Sequence, residues 1–402
     1  MKRVVFSTSL LCLCFLLPLL LTACGQTSPA TTEGLTLAWS PDGRWIVFPA
    51  STGMGPRELY VLNVEEALNG AGRESWIQLS QGFADAIDSE NLDAIAYLWQ
   101  AWSPDGRKIA FTAGDTIYTI DASCMEAPGT CVDTLTPVVG GASAWLTVEW
   151  SPDSRWLLVE STIAGPMVKT EKGVMASDLV FVMRVVAADG SGEVILSRET
   201  EPRQAPDWIG GPAFAPAWSP DGKRIVYCSG TPGKPDLYIL TLEGETVVPL
   251  TDTPDLNEFS PIWSPDGRTI AYAVQSGEGY DLYTREIDSG DTTCVTCAVR
   301  PSWETSLFSP KWSPDGSQLA YVILGRRSLF QRFDPIYIYM IAPDGSDQIP
   351  VIEKGYSSLP YWSPDGTRLA FAFRPRPDLE NINSDIYVIN ADGSGLTDLT
   401  GE

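Results

Sequence analysis

The chain contains no histidine. Imidazole is the usual general base of serine and cysteine hydrolases and a frequent metal ligand, so its absence removes both chemistries together. The Gly-x-Ser-x-Gly elbow of α/β-hydrolases is missing as well. What remains is carboxylate chemistry, which needs two acids flanking a bond. Asp255, Glu258 and Glu304 are candidates near the mouth of a channel. Acids are abundant, and no spacing selects a pair among them.

Eight cysteines form the second reactive set. Cys12 and Cys14 fall in an apolar leader, and Cys24 closes it. Cys124 with Cys131 and Cys294 with Cys297 are close pairs that an exported chain would oxidise to local disulfides. A four-cysteine zinc site is the sharper alternative, but it requires distant parts of the chain to meet. The Cys-x-x-Cys lacks the βαβ setting of a redox motif. Cys228 follows an apolar strand and is expected as a buried free thiol.

These groups must be positioned by a repeat. Trp39-Ser40-Pro41-Asp42-Gly43 returns at Trp102, Trp150, Trp218, Trp263, Trp312 and Trp362, and only the third copy departs, with Ser154 in place of Gly. In a Pro-Asp-Gly turn, Pro presets φ, Asp bonds its own backbone, and Gly takes the left-handed position that closes a hairpin. The seven motif aspartates are therefore read as turn formers. Each turn is followed by an apolar triplet, from Ile46-Val47-Phe48 to Leu369-Ala370-Phe371. A strand apolar without alternation is covered on both faces. A third strand carries Tyr second, as in Leu59-Tyr60-Val61 and Ile336-Tyr337-Ile338, with Leu179-Val180-Phe181 as the variant in the third unit. A short fourth strand ends near Leu-Thr, as at Leu250-Thr251.

The motif recurs about every 54 residues, near the range of four-stranded propeller repeats. The fold class is thus all-β: a seven-bladed β-propeller of four-stranded antiparallel blades, over residues 35–402. Every blade is built from contiguous sequence, and the ring closes by packing the first blade on the seventh. Ile46-Val47-Phe48 and Leu369-Ala370-Phe371 are expected near that seam.

The motif, the Ile-Ala-Phe-like strand, the Asp-Ile-Tyr-Val-like strand and the Asp-Gly-Ser-Gly turn together resemble the TolB-type, WD-like propeller repeat of bacterial envelope proteins. The resemblance implies a scaffold that binds proteins in the cell envelope. Relatives of the repeat also serve as propeller halves of prolyl oligopeptidase-like enzymes, so fold alone does not fix function. The stretch before Leu35 is too short for the amino-terminal α/β domain of TolB, which limits the resemblance to the propeller.

Residues 1–23 are read as a signal peptide: Lys2 and Arg3, an apolar run from Val4 to Leu21, then Leu21-Thr22-Ala23-Cys24. Small residues ending in Cys resemble a lipoprotein signal, with Cys24 lipidated. Residues 24–34, rich in Ser and Thr, form a flexible tether. A surface-anchored protein follows, outside the cytoplasm, on an outer membrane or cell surface according to the host.

Lys and Arg number 27 against 51 Asp and Glu, a net charge of −24. Such a surface repels phosphate backbones, which excludes nucleic acid as a partner. The Pro-Asp-Gly turns and the turns between third and fourth strands share one rim. The opposite rim carries the irregular segments, among them 161–178, 324–335 and 374–385. Arg326, Arg327, Phe330, Arg332 and Phe333 of the sixth unit, with Arg374 and Arg376 of the seventh, make a docking patch in an otherwise acidic chain, because Arg and aromatic side chains anchor interfaces. The alternative is that these arginines answer nearby acids such as Asp334 and Asp378. The sequence reading is a monomeric, non-catalytic binding scaffold with no cofactor and no metal. The runner-up is a carboxylate-dependent carbohydrate-active or metal-dependent enzyme working in the central channel.

Overall fold

The computed structural model describes residues 36–50, 58–87, 99–142, 144–169, 175–200, 215–231, 234–254, 256–276, 279–299, 304–325, 336–352, 356–374 and 385–400, with the short segments 22–23 and 26–27. Seven antiparallel sheets follow one another along the chain. Blade 1 holds Ala38–Trp39, Trp45–Ala50, Glu58–Asn63 and Trp76–Gln78; blade 7 holds Arg368–Arg374, Asp385–Asn390, Thr397–Asp398 and an inner strand split into Tyr356–Ser357 and Tyr361–Trp362. Among the described residues no sheet borrows a strand from another blade. Among the described residues no helix is long and apolar enough to cross a membrane.

The turns are built as their chemistry demands. In blade 5 the Asp266 carboxylate accepts from the Ser264 hydroxyl at 2.6 Å and from the Arg268 N–H at 3.1 Å, and Ser264 Oγ accepts from Thr269 N–H at 2.9 Å. The same bonds recur around Asp42, Asp153, Asp221, Asp315 and Asp365. They hold Asp266, Asp315 and Asp365 below the usual carboxylate range. Gly in these turns has φ near +70°, and Ser154 takes φ 60° in the one turn without it. Each turn also meets its neighbour, with a Cβ at Gly106 lying 3.8 Å from Pro41 and one at Gly43 lying 3.8 Å from Pro364.

Every apolar triplet is buried, and its members divide between two interfaces. The first and third face the preceding blade and the middle one faces the next. Thus Leu157 and Val159 pack with Ala110 of blade 2, while Leu158 packs with Ile225 of blade 4. This alternation corrects the expected seam. Ile46, Phe48 and Ala370 meet between blades 1 and 7, whereas Leu369 and Phe371 turn toward blade 6.

The third residue of the triplet pairs across the sheet with the third-strand tyrosine, as Phe48 does with Tyr60 and Tyr272 with Tyr283. Their rings stack at 6.1 and 6.0 Å, an offset arrangement that aromatic quadrupoles favour. Two units differ from the sequence reading. In blade 6 the partner of Tyr321 is Tyr339, not Tyr337. In blade 3 the equivalent position is Arg184, opposite Val159, so the matching segment lies downstream of Leu179-Val180-Phe181. Arg184 is buried there, donating to Ser161 Oγ at 2.9 Å and pairing with Glu193 at 3.2 Å.

Blade 3 also overturns an expected loop. Trp156–Lys169 and Met175–Ala187 pair as one long hairpin, taking in most of the segment 161–178. Its β-branched residues Thr162 and Ile163 favour pairing over irregular backbone. In blade 6 the inner strand runs from Glu304 to Trp312.

Candidate functional site: the channel throat

In a propeller the first strand of each blade lines the central channel. One register position, immediately before the motif tryptophan, recurs on all seven: Ala38, Ala101, Glu149, Ala217, Ile262, Lys311 and Tyr361. Its backbone is pinned from behind. The indole N–H of each of three motif tryptophans donates to the carbonyl of this position on the preceding blade: Trp150 to Ala101 at 3.0 Å, Trp362 to Lys311 at 3.1 Å, and Trp39 to Tyr361 at 3.1 Å.

Four of the seven side chains are apolar, and the rest are one acid, one base and one phenol. Glu149 on blade 3 and Lys311 on blade 6 attract each other. Glu149 also accepts from the Trp218 N–H of blade 4 at 3.3 Å. Glu149 is exposed and Lys311 and Tyr361 are partly exposed, yet protein surrounds all three closely enough to limit their hydration. Desolvation there disfavours charge. It pushes the Glu149 carboxyl up to about 7, against the opposing pull of Lys311 and the Trp218 N–H. It also lowers the Lys311 ammonium despite Glu149, and lifts the Tyr361 phenol to about 12, with the Leu37 backbone N–H working the other way. The throat can thus present one donor-rich and one acceptor-rich point, together with a phenol, to whatever enters it.

The sequence-derived sites fall elsewhere. Cys124 and Cys131 form a disulfide between the third and fourth strands of blade 2, and Cys294 and Cys297 form another at the outer edge of blade 5. The pairs stand on separate blades and build no common four-cysteine site. Asp281 lies beside the second pair, with its ligand atom and the two sulfurs within 4.8 Å of one another. Cys228 is buried as expected but is disulfide-bonded rather than free. Glu258 is not open to the channel. It is 2% exposed, at the inner end of a cleft between blades 4 and 5. Glu304 pairs with Gly325 through the backbone. Arg374 pairs likewise with Tyr356. Asp255, Cys24, Arg326, Arg327, Phe330, Arg332, Phe333 and Arg376 lie outside the described residues.

Sequence reasoning missed Glu149, Lys311 and Tyr361. The signal was available in the column before the motif tryptophan, where small or apolar residues give way to these three.

Seven contiguous four-stranded sheets, joined in a ring by tryptophan and Pro-Gly contacts, define a seven-bladed β-propeller with three polar side chains in its throat. Residues 190–307 match the family model described as TolB beta propeller domain. The Tol-Pal system protein TolB of Bordetella avium is 29% identical over 89 residues, 20% of this chain and 18% of that protein. The matched part is therefore under a fifth of that relative's length. Among solved structures, an oligogalacturonate lyase in complex with manganese has a TM-score of 0.55 at 16% identity, over 87% of this chain and 87% of the other. The β-propeller domain of the trilobed protease from Pyrococcus furiosus, which has an open velcro topology, gives 0.54 at 12% identity, over 92% and 98%. At these identities the likeness is one of fold.

Proposed function

We propose that the chain is a non-catalytic protein-binding scaffold, held outside the cytoplasm by lipid on Cys24. The observation that carries the binding role is the TolB-type propeller itself, since the related TolB is a component of a Tol-Pal system. The absence of histidine supports a non-catalytic reading. The throat supports it differently. Glu149 and Lys311 are on opposed blades and attract each other, an arrangement suited to receiving a polar segment rather than to flanking one bond. The docking patch is assigned to Arg326, Arg327, Phe330, Arg332, Phe333, Arg374 and Arg376 on the chemistry of those residues.

A second reading keeps a carboxylate-dependent enzyme in view. Glu258 is a buried acid pushed above its ordinary range by desolvation, the usual preparation of a general acid, and the fold is shared with an oligogalacturonate lyase. Purified protein incubated with a panel of polysaccharides, with and without divalent cations, separates the two. The scaffold reading predicts no turnover. Robust cleavage abolished by Glu258→Gln or Glu149→Gln would overturn it. Anchoring is tested separately: Cys24→Ala should move the protein from membrane to soluble fractions, and unchanged fractionation would refute lipidation.

A further inference from the structure

Between blades 4 and 5 lies a cleft of about 400 Å³, within the size range of small-molecule sites. Its walls are largely apolar. Pro249, Leu250 and Leu256 come from the connection between the blades, and Tyr272, Val274 and Tyr283 from the face of blade 5. At its inner end sits Glu258, 2% exposed. One carboxylate oxygen, Oε1, accepts from the Thr253 hydroxyl at 2.9 Å. The other, Oε2, is buried with no hydrogen-bond partner. The Thr251 hydroxyl stands beside the carboxyl, close enough to favour its charged form. It accepts from Leu237 N–H at 2.8 Å and keeps its own proton for the carboxyl, though outside good hydrogen-bond geometry with Oε2. A buried acceptor without a donor is costly, and native folds rarely leave one unless something else supplies the donor.

Charge narrows the choice of donor. Asp236 on blade 4, Asp252 in the connection and Glu258 are acids at the cleft, against the single base Arg285. Arg285 does not neutralise Glu258 by contact. It donates to Thr292 Oγ1 at 3.1 Å toward the outer mouth and makes no ion pair with the glutamate. The inner end is therefore short of positive charge, while the walls offer two tyrosine rings to a cation and aliphatic surface to a hydrocarbon body.

We propose that this cleft binds a small organic amine with an apolar body, its ammonium group donating to Glu258 Oε2. An anion would meet three acids, and a sugar would bring many hydroxyls to walls that offer few partners. Binding couples to protonation. Burial and Asp236 push the Glu258 carboxyl up, with Arg285, Thr251 and Thr253 opposing, and Tyr272 is held neutral nearby with its phenol near 12. An ammonium favours the carboxylate form, so affinity should rise with pH through the range where Glu258 loses its proton.

The test is calorimetric titration of the full chain with 2-phenylethylamine, beside its neutral and anionic counterparts 2-phenylethanol and phenylacetate. Saturable binding of the amine is expected, with both counterparts weaker by about ten-fold or more, a difference of about 1.4 kcal/mol. Glu258→Gln, close in shape but uncharged, should weaken the amine by a similar factor. Leu256→Trp, which fills the cleft and leaves the glutamate intact, should abolish binding and serves as the decisive variant if Glu258→Gln does not fold. Absence of saturable binding, equal affinity for amine and alcohol, or unchanged binding in Leu256→Trp would overturn the proposal. This inference does not depend on the scaffold reading, since neither the patch arginines nor Cys24 enters it.

Discussion

The indole N–H of Trp39 donates to the carbonyl of Tyr361 at 3.1 Å, joining residues 322 positions apart and tying blade 1 to blade 7. The bond repeats between neighbouring blades as Trp150 to Ala101 and Trp362 to Lys311. Closure therefore uses a side-chain device that two other blade junctions share, and among the described residues no strand is exchanged.

Sensitivity at that seam follows from which way the triplets face. Phe48 is 1% exposed and packs with Ala370, Ile386 and Val388 of blade 7. Phe48→Ala should cost about 3–5 kcal/mol, the range for deleting a buried phenyl ring. Phe371→Ala should cost a comparable amount, but its cavity opens toward blade 6. Hydrogen exchange distinguishes them: protection should fall first in Glu58–Asn63 and Asp385–Asn390 for Phe48→Ala, and in Ile336–Ile341 for Phe371→Ala. The same pattern for both would contradict the assigned faces.

Ser154 is the natural exception among the motif glycines, and the structure supplies its compensation. Its hydroxyl accepts from the Asp105 N–H of blade 2 at 3.0 Å while its backbone holds φ at 60°. Left-handed backbone costs a non-glycine residue about 1–2 kcal/mol, and a hydrogen bond returns about 1 kcal/mol. Ser154→Gly should therefore be close to neutral. Ser154→Ala keeps the strain and loses the bond, so its denaturant midpoint should drop by an amount equivalent to about 1 kcal/mol.

The throat predicts a pH dependence. The Glu149 carboxyl rises from an ordinary 4.5 to about 7 in the folded chain, so the folded state holds its proton more tightly than the unfolded one. Its contribution is fully present below about 4.5 and is lost as pH rises through about 7. Glu149→Gln removes that loss, so its melting temperature relative to the parent should climb between these limits. The turn aspartates act in the opposite sense. Asp266 and Asp315 sit below 3.8, so their contribution is present above that value and lost as pH falls through their depressed range. A melting-temperature difference that is flat from acid to neutral pH would contradict the throat assignment.

Much of the fold was legible because repetition turns weak local signals into strong ones. The Pro-Asp-Gly turns, the triplets and the contiguous blades can all be read from spacing. What escaped was register within a strand and direction across a sheet. Tyr339 rather than Tyr337 faces Tyr321 because pairing counts back from the turn, and a shift of two keeps the same face. Phe371 could not be assigned to blade 6 until the alternation was seen in three dimensions. Glu149 and Lys311 are 162 residues apart in sequence; only closure of the ring brings their charges within electrostatic reach. Glu258 was singled out as an acid, but its burial depends on the neighbouring blade.

The central claim, a scaffold that works by binding protein, is tested most directly by quantitative capture from the native envelope. Purified chain should retain a discrete protein partner that binds it reversibly in direct titration. Arg326, Arg327 and Arg332 changed together to Glu should weaken that titration by about ten-fold or more, since charge reversal at an interface anchor costs at least about 1.4 kcal/mol. If no protein binds the parent chain in titration, or if the charge-reversed chain binds with the parent's affinity, the account is contradicted.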